Sequence, residues 1–146
     1  MDADDHYRAL ERMYLAAPIN GIYKPSITVS KERAEIEMAV TEAFFHSAGA
    51  LHGSVYFKML DDAAFFAANS IVSDYFVLTS SFTTYLTRPV TSGGLKSVGR
   101  VANKGKTQII AEAVVRDLQG REVGRGSGVF VRSKLPLAGA MGYCDT

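Results

Sequence analysis

The chain has a single cysteine, Cys144, so it forms no intrachain disulfide, and no residues have metal-ligand spacing. It has almost no surplus charge: the formal net charge is +1. That removes the broad electrostatic reason to expect nucleic acid or an anionic membrane as partner, and any basic site must be local. No apolar run is long enough to cross a bilayer, because the central one is broken by Lys58, Asp61 and Asp62. The N-terminal stretch MDADDHYRALERMYLAAP is acidic at first and too polar for a signal peptide, so the cytoplasm is the expected location. There is no internal repeat, low-complexity tract or interdomain linker. At 146 residues, 47% hydrophobic and 21% charged, the chain reads as one globular domain over 1–146 with a proper core.

What is present is concentrated between Ala50 and Ser70, ALHGSVYFKMLDDAAFFAANS. This reads as a nearly all-apolar helix over 53–70, opening on His52-Gly53-Ser54. A helix apolar all round belongs inside a protein. Two adjacent acids, Asp61 and Asp62, sit in its middle, and carboxylates are rarely buried unless paired or chemically employed. A glycine-opened helix N-terminus also offers free N–H donors to an oxygen that is becoming negative.

Around it the pattern is mixed. A first helix at about 4–17, capped by Asp4 or Asp5, places Tyr7, Leu10, Met13, Tyr14 and Ala17 on one face and ends at Pro18. Asn20-Gly21 marks a turn, and 26–30 begins the sheet. Residues 33–40 alternate, with Ala34, Ile36, Met38 and Val40 facing one way. Residues 41–51 form a loop containing His46. After the helix come strands at 75–87, 94–103, 106–117 and 121–132, with turns at Lys104-Gly105 and Gln119-Gly120. Gly124, Gly126 and Gly128 make a side-chain-free stripe that admits a close neighbour or a sharp bend. The core spans about 26–132, and the tail 133–146 has no clear period. A curved antiparallel sheet wrapped around one buried helix, an α+β domain, satisfies this order.

The ordered motifs resemble the hotdog-fold acyl-CoA thioesterases, in the branch related to the phenylacetate-pathway enzyme. That branch reads His-Gly-Gly, an Asp nine positions after the His, and often Asn-Ser closing the helix. Here these are His52-Gly53-Ser54, Asp61 and Asn69-Ser70. An aromatic-x-x-Arg-Pro pattern follows at Tyr85 to Pro89, then a Gly-Lys-Thr hairpin at Gly105-Lys106-Thr107. The resemblance covers about 33–132. It implies a hotdog fold, with Asp61 as general base or nucleophile and the Gly53 N–H polarising the thioester carbonyl. It also implies that Thr79, on the strand after the helix, assists across an interface. Two positions depart from the pattern: Ser54 replaces the second Gly, and His46 stands where Asn is common, six residues before the His. No metal or redox cofactor is implied; coenzyme A enters as part of the substrate.

Thioester hydrolysis needs an activated nucleophile and stabilisation of an oxyanion. Burial among Phe57, Leu60, Phe65 and Phe66 would raise the pKa of Asp61 towards useful basicity. Gly53 and Asp61 lie ~12 Å apart along one helix, too far to act on one bond. Two antiparallel copies bring Gly53 of one beside Asp61 of the other, so a catalytic reading implies a homodimer, or a homotetramer containing it.

Plainer readings stand beside these. Lys58 can pair with Asp61 or Asp62, and Asp62 is its natural partner. His52 suits a structural part, fixing the helix start. His46 is either a site residue or an exposed loop histidine, and His6 a surface residue. Arg88, Lys104 and Lys106 either grip coenzyme A phosphates or solubilise turn ends. Ser54 and Asn69 complete the substrate-contact candidates. A hotdog dehydratase or hydratase is the rival enzyme; those pair a His with an acid, usually near prolines, and none lies between Pro25 and Pro89. A non-catalytic acyl-CoA-binding module is the rival of another class.

Overall fold

The computed structural model describes residues 1–144. In chain order the elements are α1 (Ala3–Ala16), α2 (Asn20–Tyr23), β1 (Ser26–Ser30), β2 (Arg33–Ala39), α3 (Gly53–Asn69), β3 (Tyr75–Leu86), β4 (Gly94–Lys104), β5 (Gln108–Asp117) and β6 (Glu122–Pro136). Two 3-10 turns lie at Glu42–Phe44 and Leu137–Gly139. The strands form one antiparallel sheet in the order β1-β2-β4-β5-β6-β3. The sheet wraps α3, as the α+β reading expects. Among the described residues no helix is long and apolar enough to cross a membrane.

Small residues let the sheet close on α3. A Cβ on Gly99 of β4 would stand 2.2 Å from the Ala63 carbonyl oxygen, so only glycine fits there. One pairing earlier, the buried Ser97 hydroxyl donates to the Met59 carbonyl at 2.7 Å. The close neighbour that the glycine stripe of β6 admits is a side chain of the adjoining strand, β3. A Cβ on Gly126 or Gly128 would stand 2.4 Å from the Phe82 ring, which lies over both from β3. Phe82 in turn meets Phe57 edge-on, with centroids 5.6 Å apart.

The start of the chain differs in detail from expectation. Neither Asp4 nor Asp5 is the cap. Asp2 is, accepting from the Asp5 N–H at 2.8 Å, while the Asp5 carboxylate accepts from the Asp2 N–H at 3.4 Å. The Asn20-Gly21 turn is the one-turn helix α2. His6 is not a surface residue. It is 4% exposed, with Nδ1 2.8 Å from the Tyr143 hydroxyl and Nε2 2.9 Å from the Asn69 carbonyl. It ties α1 to the end of α3 and to the tail. Neither is the start of the tail irregular: β6 runs on to Pro136.

α1 also covers the outer edge of the sheet. Arg8 donates to the Val29 carbonyl and Glu11 accepts from the Val29 N–H, each at 2.7 Å. Two side chains thus occupy main-chain groups that an edge strand would otherwise leave open. The opposite edge, β3, is longer, and Leu78, Tyr85 and Leu86 on it are exposed.

Candidate active site

At the head of α3, His52 is the N-cap. Its Nδ1 accepts from the Ser54 N–H at 3.1 Å and lies 2.8 Å from the Ser54 Oγ. Both residues are thereby engaged in shaping the helix start. The Gly53 N–H between them donates to no acceptor among the described residues. A Cβ at Gly53 would stand 3.1 Å from the end of Leu86, so the position is tight. Gly53 lines a cavity of about 420 Å³ together with His46, Tyr56, Leu86 and Arg88. His46 is exposed, and its Nδ1 accepts from the Ala48 N–H at 3.1 Å.

The two acids sit two turns further along and have separate partners. Asp62 takes a 2.7 Å ion pair from Lys58 and a 2.8 Å hydrogen bond from the Tyr14 hydroxyl. The Lys58 ammonium also lies over the Tyr14 and Tyr23 rings, 5.4 and 5.2 Å from their centroids. Burial, with the Asp62 charge beside it, pushes the Tyr14 phenol above its ordinary range, so it stays a donor. Asp61 accepts from the Thr79 hydroxyl at 2.8 Å. Burial raises its pKa to about 6; the Thr79 hydrogen bond opposes this, the Asp62 charge adds to it, and Lys58 opposes it. Asp61, Asp62, Lys58 and Thr79 line a cavity of about 320 Å³ whose remaining walls are mainly apolar.

A bulge in β3 lets residues on both sides of it face α3. The register of β3 against β6 shifts between Thr79 and Ser81. Before the shift Val77 and Thr79 face α3; after it Phe82 does. A regular strand could not aim both an odd and an even residue at the same helix.

The single chain therefore brings Asp61 to Thr79, and Gly53 to His46 and Arg88, in two distinct cavities. It does not bring the three cations together. Lys104 ends β4 at the opposite end from the Gly53 cavity, about 30 Å along the strand. It pairs with Glu32 at 3.1 Å, while the Lys106 carbonyl accepts from Arg132 at 2.7 Å.

Two expectations need correction. Asn69 does not face a ligand. It is fully buried, its Nδ2 donates to the Val72 and Tyr75 carbonyls, and its Oδ1 accepts from the Val77 N–H at 3.0 Å. These bonds fasten the end of α3 to the start of β3 and to the loop between them. Phe57, expected to help bury Asp61, is itself 41% exposed. Within one chain α3 is not enclosed on every side, because Ser54, Phe57, Lys58, Asp61, Asp62 and Phe65 form a stripe left partly open. The sequence reading missed Tyr14 and Asn20 as parts of the Asp61 cavity. Tyr14 was legible only as one position on an apolar helix face, and Asn20 only as a turn residue.

The thioesterase superfamily matches residues 48–124 of this chain, more than half its length, a span that takes in Gly53, Asp61, Thr79 and Arg88. The protein of the Escherichia coli phenylacetic acid degradation operon superposes with a TM-score of 0.83 at 20% identity, covering 92% of this chain and 97% of that one. A Haemophilus influenzae thioesterase superposes with a TM-score of 0.75 at 16% identity, covering 82% and 85%. In sequence, a Saccharolobus solfataricus protein whose name proposes an esterase is 26% identical over 90% of this chain and 97% of its own. The chain belongs to the thioesterase superfamily and has its hotdog fold: an antiparallel sheet curved around a central helix. It is a hydrolase of the thioesterase class.

Proposed function

We propose that the protein hydrolyses an acyl- or aryl-CoA thioester to the free acid and coenzyme A, with Asp61 as general base. The observation that carries this reading is the Asp61 carboxylate, half-buried in an apolar cavity, held by Thr79 and raised to about 6. A base of that pKa is mostly ionised at neutral pH yet basic enough to take a proton from water. In this scheme Asp61 removes a proton from water, and the oxygen adds to the thioester carbonyl carbon. The resulting oxyanion is held by the Gly53 N–H at the positive end of α3. The carbon–sulfur bond then breaks, and the leaving sulfur takes the proton back from Asp61.

Gly53 and Asp61 of one chain open on different cavities, so the oxyanion donor comes from a second copy. The partly open stripe of α3 and the exposed apolar edge of β3 support a homodimer with the two α3 helices antiparallel at its centre. Arg88, near the Gly53 donor, is the best placed of the cations for a coenzyme A phosphate.

The test is a free-thiol release assay over a panel of acyl- and aryl-CoA thioesters. Release from at least one is expected. Binding without release across the panel would favour the non-catalytic module. Single turnover in oxygen-labelled water, followed by mass measurement of the protein, separates base from nucleophile: label entering Asp61 would make it the nucleophile.

A further inference from the structure

Asp61 shares its cavity with a second carboxylate, Asp62, and with one cation, Lys58; the other described residues of the lining are uncharged. Two carboxylates in one cavity repel, and the charge on one works against ionisation of its neighbour. Asp62 is met at a single oxygen by two donors. The Lys58 ammonium reaches its Oδ2 at 2.7 Å and the Tyr14 hydroxyl at 2.8 Å. The same ammonium lies over the rings of Tyr14, on α1, and Tyr23, beside it on α2. The Lys58 side chain is 13% exposed and that of Asp62 18%, so solvent screens this pair far less than a surface pair. Buried ion pairs stabilise little compared with apolar pairs of the same shape, so stability alone gives no reason for this one. Its neighbour does. The Asp62 charge works against ionisation of Asp61, and the Lys58 charge favours it. Tyr14 and Tyr23 lie outside the matched residues 48–124, so the arrangement draws on a part of the chain that the family match does not reach.

We propose that Lys58 is a positioning residue of the active site that acts through Asp62: it balances the Asp62 charge so that Asp61 can carry its own in the same cavity. This rests on the reading of Asp61 as the general base. The groups that face Asp61 are few. Asp62 and Lys58 come from its own helix, the Tyr14 phenol from α1 and the Thr79 hydroxyl from β3, while α2 contributes the uncharged Asn20. In the proposed dimer the Gly53 cavity of a second copy, with its His46 and Arg88, adds to these, and does so equally in every variant compared below. The signs then follow. Without Lys58, the Asp62 charge acts on Asp61 unopposed, and Asp61 ionises only at higher pH. Without Asp62, Lys58 acts on Asp61 alone, and Asp61 ionises at lower pH. With both gone the two effects offset each other.

The experiment follows Asp61 in the full chain carrying Lys58→Met, Asp62→Asn or both, by two readouts. One is the pH dependence of kcat/KM for a CoA thioester that the wild type hydrolyses. The other needs no turnover: carbon-13 NMR titration of the aspartate carboxyls, the Asp61 signal being assigned by its loss in Asp61→Asn. From a wild-type midpoint of about 6, Lys58→Met should move the midpoint up by about one pH unit or more, and Asp62→Asn should move it down. The double variant should lie between the two. A Lys58 that only holds the fold would lower activity at every pH and leave the midpoint in place. Lys58→Met strands Asp62 without its cation. If that variant does not fold, the comparison of Asp62→Asn with the double variant carries the test, the double variant having the higher midpoint. A midpoint shared by the wild type and all folded variants would overturn the proposal, as would an Asp62→Asn midpoint above that of the wild type. If the NMR midpoints move as stated but hydrolysis does not follow them, the general-base reading fails and the role of Lys58 stands. If kcat/KM follows the Asp61 signal but neither moves among the variants, the reverse holds.

Discussion

Asp61 and Asp62 are adjacent in sequence yet meet different neighbours, and that difference separates their roles. Asp62 is neutralised by Lys58 and Tyr14, whereas Asp61 keeps only the Thr79 hydroxyl and a largely apolar pocket. Asp61→Asn should lower kcat by ~10²-fold or more, because the amide cannot take a proton. Wild-type turnover in Asp61→Asn with loss in Asp62→Asn would move the role by one residue. The same carboxyl sets the pH profile. kcat/KM should rise as pH passes through about 6 and level off above it, the ionised form being the active one. A profile flat across that range would exclude Asp61 as the base. Stability should run the other way. The folded-state pKa is raised from 3.8 to about 6, so the folded protein holds this proton more tightly than the unfolded chain. Below the unfolded value both states are protonated and nothing is lost. As pH rises from there to about 6, stability falls, and it stays lowered above. Asp61→Asn removes the charge but keeps an acceptor for Thr79. It should raise the melting temperature at neutral pH by roughly a few degrees, with the gain shrinking in acid. A lower melting temperature at neutral pH would mean that the carboxylate stabilises the fold.

At the scale of elements, the contact of β4 with α3 sets how close the sheet can come. Gly99 leaves no room for a Cβ against the backbone of Ala63 and Ala64, which cannot swing aside as a side chain could. Gly99→Ala should destabilise the protein by about 1–3 kcal/mol or more in denaturant unfolding. Gly139→Ala, where a Cβ meets nothing within 4 Å, should be close to neutral and serves as its control. Equal stability of the two variants would show that β4 can retreat from α3 without cost. The bulge of β3 is a second device of this kind, since it turns both Thr79 and Phe82 towards α3. The wealth of Thr, Tyr, Phe and Val in 75–87 announces a strand but carries no mark of where its phase will change.

At the scale of the whole molecule, the proposed homodimer makes a quantitative prediction. One chain carries Asp61→Asn. Another carries Gly53→Pro, which deletes the N–H at a helix position where proline is tolerated. Each homodimer should be nearly inactive. A mixed dimer holds one site with both defects and one with neither. Unfolding and refolding an equal mixture should give about half mixed dimers and return roughly a quarter of wild-type activity. Circular dichroism must first show that Gly53→Pro folds, because Leu86 stands close to that position. No recovery from well-folded mixed dimers would place both groups in one chain, and a monomeric mass at full activity would end the dimer proposal.

The sequence by itself determined the elements and the motif. The alternation of Ala34, Ile36 and Met38 is the buried face of β2, and the apolar run after His52 is the central helix. The pairing of Lys58 with Asp62 followed from helical spacing, and the place of Asp61 on that helix was legible at once. These are short-range properties, fixed by periodicity and by neighbours three or four residues apart. Only the tertiary structure decided the rest. It buried His6 against Tyr143 and Asn69, more than sixty residues away from either, and spent Asn69 on the backbone of the β3 approach. It separated Arg88 from Lys104, and it brought Tyr14 and Asn20 to the Asp61 cavity from the other end of the chain. Such long-range meetings depend on strand order, on a bulge and on how α1 lies across the open side of α3. None of these has a local signature, because each is settled by packing between segments whose sequences never adjoin.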